Sequence, residues 1–189
     1  MSNVQFNEKR AVQAAAIFAK NAGNRIDKYN LCKMMYYLER QTIIKTGQPL
    51  FFDKLFSAPL GPVASEVNHG IDTIVPPKQE NYNREENNQI EWEDHFKKSG
   101  KHCLMIIKDP GDDELSKYTI RMIEEIHEKF KKFSWKRMQD FFHNLPEYKE
   151  TESRIPITYA NILRAENFSE LEIEAIESEI NYYSQLTTV

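Results

Sequence analysis

The sequence has little of what several common classes of protein require. It contains two cysteines, Cys32 and Cys103, which form neither a CxxC pair nor a disulfide framework. This usage is typical of a protein in the reducing cytoplasm, where we expect this one to act. The longest apolar run, from Ala14 to Ala19, has six residues. A bilayer requires about 20, so no membrane span is predicted, and Met1 to Arg10 lack the apolar core of a secretory signal.

Glycine is scarce, and the patterns that mark common catalytic sites are missing. The six glycines are scattered, and neither GxGxxG nor GxxxxGK[ST] occurs, so no phosphate-binding loop is predicted. No histidine pair has the HExxH spacing. His95, His102 and Cys103 could meet across a hairpin, but no further ligand pair accompanies them, and ordinary hairpin side chains are the preferred interpretation. No Cys–His or carboxylate pair stands out either. We therefore expect no metal, no cofactor and no enzymatic activity.

The charge is acidic overall and unevenly distributed. The formal net charge is -4, and nine acidic residues against three basic ones lie from Glu147 to the end. Because phosphate recognition needs a basic surface, nucleic-acid binding by the whole chain is disfavoured. The cluster Lys129–Arg137 is an exception to the acidic charge, because it combines basic and aromatic side chains. Its rings are interpreted as core and its lysines as solvated, and a small nucleic-acid-binding regulator that uses this cluster is kept as the alternative function.

What the sequence does contain is helical periodicity over most of its length. Apolar residues recur at three and four positions in seven segments, and two short runs joined by Ser99-Gly100 indicate a β-hairpin. We predict a mainly α, α+β fold: a single-domain helical bundle (1–189) of about six to seven helices with one hairpin. The polar, Asn-rich stretch 78–89 reads as a loop. The predicted helices span about 7–22, 28–45, 62–75, 116–133, 134–145 and 156–165, and the last starts at 169.

The predicted helix ends rest on local chemistry. A short polar side chain before a helix can accept an unpaired backbone N–H of the first turn, and proline suits the first helical position because its missing N–H would be unpaired there. Ser169 and Glu172 have the spacing of a capping box. The expected N-caps are Asp27, Ser116 and Ser134, and the expected first-turn prolines are Pro62 and Pro156.

Residues 27–72 are the most informative part of the chain for function. A Met-rich helix is followed by two prolines around a glycine, which fix the backbone ahead of a helix. This corner is either a tight turn that packs on the preceding helix or a preformed docking site for a partner. On the helical wheel Tyr37 lies nearer the Met34/Leu38 core face, so Tyr36 is predicted to face outwards. The candidate partner-binding residues are Lys33, Tyr36, Tyr37, Gly61, Pro62 and Val63.

Two blocks of the sequence resemble a known family. The stretch 27–71, DKYNLCKMMYYLERQTIIKTGQPLFFDKLFSAPLGPVASEVNHGI, is similar to the signature of Panacea-domain proteins, the SocA-like antitoxins. Their pattern is a Leu-x-Lys-Leu-x-Tyr helix, a Gly-x-Pro turn and a Gly-Pro-Val corner. The matching residues here are Leu31, Lys33, Met34, Tyr36 or Tyr37, Gly47, Pro49, Gly61, Pro62 and Val63.

The second block, 115–150, is similar to the family's Leu-Ser helix and the helix after it. It departs from the family pattern at two places, with Phe142-His143 for Thr-His and Tyr148-Lys149 for Trp-Lys. The two blocks have the family's order and spacing. The resemblance covers about 9–180. A divergent phage-borne protein of the same fold is therefore a further alternative.

The resemblance implies a binding protein and not an enzyme. Members of the family neutralise unrelated toxins by direct binding, at least one type delivers its toxin to a Clp protease, and the family is common in phages and mobile elements. For this chain the resemblance implies a cognate protein toxin as partner and a Clp-type protease as a further one.

Overall fold

The computed structural model describes residues 6–77 and 90–186, and the predicted loop at 78–89 lies outside the described residues. Within these two ranges the chain forms eight helices and six short strands. In chain order they are α1 (Glu8–Asn21), β1 (Arg25–Asp27), α2 (Lys28–Thr46), β2 (Leu55–Ser57), β3 (Val63–Ala64), α3 (Ser65–Ile74), α4 (Ile90–His95), β4 (Phe96–Ser99), β5 (Cys103–Ile106), α5 (Lys117–Phe130), α6 (Trp135–His143), β6 (Ile155–Ile157), α7 (Tyr159–Ala165) and α8 (Glu170–Leu186).

Helix α2 lies at the centre of the molecule. It contacts α1, α3, α5, α6 and α7 as well as β1 and β3. As predicted, the Asp27 side chain caps its start by accepting the backbone N–H of Asn30 at 3.1 Å. Gly47 ends it with a left-handed backbone (φ 70°), a conformation that glycine adopts without steric cost. Because neighbours surround it, α2 is buried on nearly all sides and holds the molecule together.

The strands form two small antiparallel sheets instead of the single predicted hairpin. The hairpin β4–β5 is confirmed, and β1 joins it in the order β1-β5-β4. The second sheet, in the order β3-β2-β6, was not predicted. The residues directly before β4, Ile90–His95, were predicted as strand and form the short helix α4 instead. The fold is therefore mixed α+β and not a helical bundle with one hairpin.

Both prolines predicted to start helices lie outside them. Pro62 immediately precedes β3, and Pro156 lies within β6 opposite Phe56. A strand at the edge of a sheet tolerates proline because the missing N–H can face away from the ladder. Helix α3 is capped from a distance: Asp53 accepts the backbone N–H groups of Glu66 and Val67, both at 2.9 Å.

The other predicted caps are confirmed. Ser116 and Ser134 accept N–H groups at the starts of α5 and α6, and Ser169 and Glu172 form the expected reciprocal hydrogen bonds. For α8 the sequence predicts an apolar stripe of Ile173, Ile176, Ile180 and Tyr183, of which Ile173 and Ile180 are buried while Tyr183 is 46% exposed. Among the described residues no helix is long and apolar enough to cross a bilayer.

Candidate functional site

A groove of about 730 Å³ lies where the first turns of α2 meet the Ala58–Gly61 turn and the start of α6. Three of the predicted site residues, Lys33, Gly61 and Val63, line it. The predicted proximity of the α2 helix and the Gly-Pro-Val corner is therefore confirmed. Among the described residues, the lining consists of Asp27, Lys28, Tyr29, Cys32, Lys33, Ala58, Pro59, Leu60, Gly61, Val63, Asn68, His102, Trp135 and Arg154.

Lys33 is a buried cation beneath this groove. Its side chain is 1% exposed, and its Nζ donates to the carbonyl oxygen of Pro62 at 2.8 Å. Nζ also lies 5.4 Å from the ring centroid of Tyr29 and 5.9 Å from that of Phe142. Burial lowers the pKa of Lys33 to about 7. A group poised near neutral pH in a groove is typical of a functional site.

Gly61 brings the corner close to this ammonium group. Its φ of +98° is a conformation that residues with a side chain rarely adopt. A Cβ at this position would lie 3.1 Å from Nζ of Lys33 and 3.3 Å from Cδ2 of His143. Position 61 is therefore glycine for two reasons, backbone conformation and the close approach of Lys33.

The helical wheel was wrong for Tyr36 and right for Tyr37, which packs against the core. Tyr36 was predicted to face outwards, but it is completely buried, and its hydroxyl donates to Oε1 of Glu147 at 3.0 Å. Tyr37 is half-buried, with its ring 5.2 Å from that of Phe130 and its hydroxyl 2.7 Å from Nζ of Lys129. The wheel assumed one core face, whereas α2 is covered on several. Neither tyrosine lines the groove.

Sequence reasoning missed the apolar rim of the groove. Trp135 is 51% exposed and its ring lies 5.6 Å from that of Tyr29, whose hydroxyl donates to the carbonyl of Leu60 at 3.2 Å. Leu60 is also 51% exposed. Trp135 follows the N-cap Ser134 at the start of α6, and no local pattern distinguished its ring from the buried rings nearby in the sequence. Exposed aromatic side chains at a groove are common interface anchors.

The charged residues of the lining are mainly basic. Lys28 forms an ion pair with Asp72, and Asp27 is occupied in capping α2. Arg154 is exposed, with its Nη1 3.4 Å from the Ser65 hydroxyl. With Lys28 paired, Lys33 and Arg154 remain against Asp27 in the described lining, so its charge balance favours an anionic ligand.

The residues at which the chain departs from the family pattern pack beside the groove. The rings of His143 and Tyr148 lie 4.6 Å apart. The Tyr148 hydroxyl donates to the carbonyl of Ala58 at 3.2 Å, at the start of the groove's turn. Of the two substituted residues, Tyr148 therefore supports the turn through this hydrogen bond, and Phe142 is buried with its ring centroid 5.9 Å from Nζ of Lys33.

The rings of the basic-aromatic cluster Lys129–Arg137 were predicted to be core, which is confirmed for the phenylalanines and wrong for Trp135, whose side chain is 51% exposed. Phe130 is 1% exposed, and Phe133 packs edge-on against it at 5.2 Å between centroids. Lys131 and Lys136 form ion pairs with nearby carboxylates. Bases stack on open rings, and these two phenylalanines do not offer such a platform.

Fold and groove together define a small α+β domain with a cationic, aromatic-rimmed binding groove. In the part of the chain that the structure describes, no group of three or more His, Cys, Asp or Glu side chains could hold a metal ion. The sequence model of the antitoxin SocA-like, Panacea domain matches residues 31–149, well over half of the chain, and the chain belongs to this family. Its role is accordingly related to toxin–antitoxin systems. Comparisons with curated proteins and with solved structures gave no match.

Proposed function

We propose that this protein is a non-enzymatic, cytoplasmic antitoxin-like module that neutralises a cognate protein toxin by direct binding at the groove. The observation that carries the proposal is the groove itself, formed largely by the matched family segment and rimmed by exposed Trp135 and Leu60. Exposed aromatic and apolar anchors around a concave surface suit protein recognition.

The side chains of the groove suit binding better than catalysis. Its one thiol, Cys32, is buried, and burial raises the pKa of this thiol to about 12. The thiol donates to Oδ1 of Asn68 at 3.3 Å and stays protonated near neutral pH, whereas a nucleophilic cysteine acts as the thiolate. Lys33 is engaged with a backbone carbonyl and has no described acid or base partner.

The groove is also preorganised. Gly61 N–H donates to the carbonyl of Ala58 at 2.9 Å and closes the turn. The Tyr29 hydroxyl donates to the carbonyl of Leu60, and the Tyr148 hydroxyl donates to the carbonyl of Ala58. Both ends of the turn are therefore held. A turn that is fixed before binding loses little conformational entropy when the partner docks, and the affinity gains accordingly.

Co-expression tests this proposal. We expect the product of a neighbouring gene to stop growth when expressed alone and to be harmless when this protein is expressed with it. A purified complex of the two should survive gel filtration. If no neighbouring gene product is toxic, or if toxicity persists while both proteins are soluble, the proposal is wrong.

Two narrower predictions from the sequence stay predictions. Delivery of the toxin to a Clp-type protease would shorten the toxin's half-life only in cells that contain both the protease and this protein.

Nucleic-acid binding through Lys129–Arg137 would give a gel shift that weakens steeply with added salt, because counterions are released on binding. Absence of a shift at low salt would dispose of that alternative.

A further inference from the structure

We propose that the groove recognises an Asp or Glu side chain flanked by apolar residues on a surface segment of the partner protein, with Lys33 as the ammonium group that receives the carboxylate. This inference rests on the proposed function and specifies the chemistry of the partner. Three features of the groove carry it: an unpaired buried cation, a basic rim and apolar walls.

The first feature is the incomplete hydrogen bonding of Lys33. An ammonium group has three N–H donors, and the structure gives this one a single acceptor, the carbonyl of Pro62. Within residues 6–77 and 90–186 Lys33 forms no ion pair with a carboxylate. Lysine is almost never fully buried without a charged partner, because the loss of hydration is costly. An incoming carboxylate would supply the missing partner.

The second feature is the sign of the charge around the groove. Arg154 lies exposed at the rim, and His102 is exposed there too. The one acidic residue of the lining, Asp27, has its carboxylate directed to the backbone N–H of Asn30. Charge complementarity therefore selects an anionic group and disfavours a basic one, since like charges at an interface repel.

The third feature is the apolar character of the walls. Pro59, Leu60 and Val63 line the groove together with the rings of Tyr29 and Trp135. These surfaces suit apolar side chains on either side of the acidic residue. Lys33 lines the groove but is only 1% exposed, so a carboxylate must be carried to it on a side-chain stem while the partner's backbone stays outside. A chain-terminal carboxylate would have to bring its backbone into the same space.

The probes for the test are two capped tripeptides, acetyl-Leu-Glu-Leu-amide and its Gln counterpart, followed by NMR on the full chain. We expect the Glu peptide to shift the backbone amide signals of Cys32 and Gly61. It should bind about tenfold more tightly than the Gln peptide, since a hydrogen bond to a charged group is worth about one decade of affinity. In Lys33→Met this preference should disappear. In Lys132→Met, which removes an exposed lysine outside the groove, it should persist.

Arg154→Gln provides a second variant at an exposed position, where folding is safe, and it should weaken the preference in part. Equal affinity for both peptides, or shifts confined to residues outside the groove, would overturn the inference, as would an unchanged preference in Lys33→Met. These outcomes are independent of toxin neutralisation. If the protein neutralises its toxin but both peptides bind equally, the carboxylate chemistry is wrong and the proposed function stands.

Discussion

Helix α2 carries two buried cations about two turns apart, and their surroundings differ. Arg40 is 3% exposed, and its Nε lies 2.7 Å from Oε1 of Glu147 while its Nη2 reaches Oε1 of Glu166. Lys33 is 1% exposed, and within the part of the chain that the structure describes its Nζ has one hydrogen-bond acceptor, the carbonyl oxygen of Pro62. The Arg40 guanidinium is therefore paired with two carboxylates, whereas the Lys33 ammonium group has N–H donors without a described acceptor.

The comparison separates residues that hold the fold from residues available to a ligand. A complete buried ion pair contributes little net stability, but removal of one partner strands the other charge at a large cost. An unpaired buried cation already carries that cost in the folded protein. The free energy of unfolding should therefore fall when the charge of Arg40 is removed and should not fall when the charge of Lys33 is removed.

The largest effect is expected at Arg40. Arg40→Met strands Glu147, whose side chain is fully buried, with only the Tyr36 hydroxyl as donor. We expect the free energy of unfolding to fall by about 3–5 kcal/mol in urea denaturation. The control Arg164→Met removes an exposed pair with Glu170 and should cost far less, because solvent screens that pair. Equal losses in the two variants would contradict the assignment.

A loss of about 3 kcal/mol is expected for Tyr36→Ala, because it empties a buried ring site and removes a hydrogen bond to Glu147. This reverses the prediction from the helical wheel, under which the variant would keep its melting temperature. The matched control is Tyr118→Ala, at a tyrosine that is 51% exposed, and it should stay within about 0.5 kcal/mol of wild type. A wild-type melting temperature for Tyr36→Ala would place this ring outside the core.

Lys33 should make stability depend on pH. Its pKa is lowered to about 7 in the folded protein, so between about pH 7 and 10 the unfolded chain binds a proton that the folded chain has lost. Stability therefore rises with pH across this window, by roughly 1–2 kcal/mol from about pH 7 to about pH 9. Lys33→Met should be at least as stable as wild type at about pH 7 and should lack this rise. The same pH slope in both proteins would show that Lys33 is not the group responsible.

A smaller effect separates two glycines of similar backbone conformation. Gly61→Ala must tolerate both a positive φ and a Cβ crowded by Lys33 and His143, whereas Gly23→Ala has a positive φ but nothing within 4 Å of the new atom. We expect Gly61→Ala to cost about 1 kcal/mol more than Gly23→Ala in thermal unfolding. Equal costs would mean that Lys33 moves freely aside and that the corner does not confine it.

The parts of this structure that the sequence predicted are those with local signals. Asp27, Ser116, Ser134 and Ser169 cap helices through groups within three residues of themselves, so their roles could be read directly. Lys33, Gly61 and Val63 were correctly grouped because one short segment contains them all.

The rest depended on contacts between distant segments. Strands of two or three residues, such as β3, are too short for an alternating pattern to show. Asp53 caps a helix that starts 12 residues later in the chain, and Tyr36 is buried by Glu147, 111 positions away. Trp135 reaches the groove only through the packing of α6 beside α2. A helical wheel holds no information on how many sides of a helix are covered.

Docking of the partner toxin on the groove is tested most directly by measuring the affinity of the purified toxin for Trp135→Ala. Trp135 is 51% exposed, so its truncation should leave the fold intact while removing an anchor. We expect the Kd to rise by about 30-fold or more. The control Tyr182→Ala removes a tyrosine that is 60% exposed on α8, outside the groove lining, and should bind as wild type does. Wild-type affinity in Trp135→Ala, or equal weakening in both variants, would contradict docking at the groove.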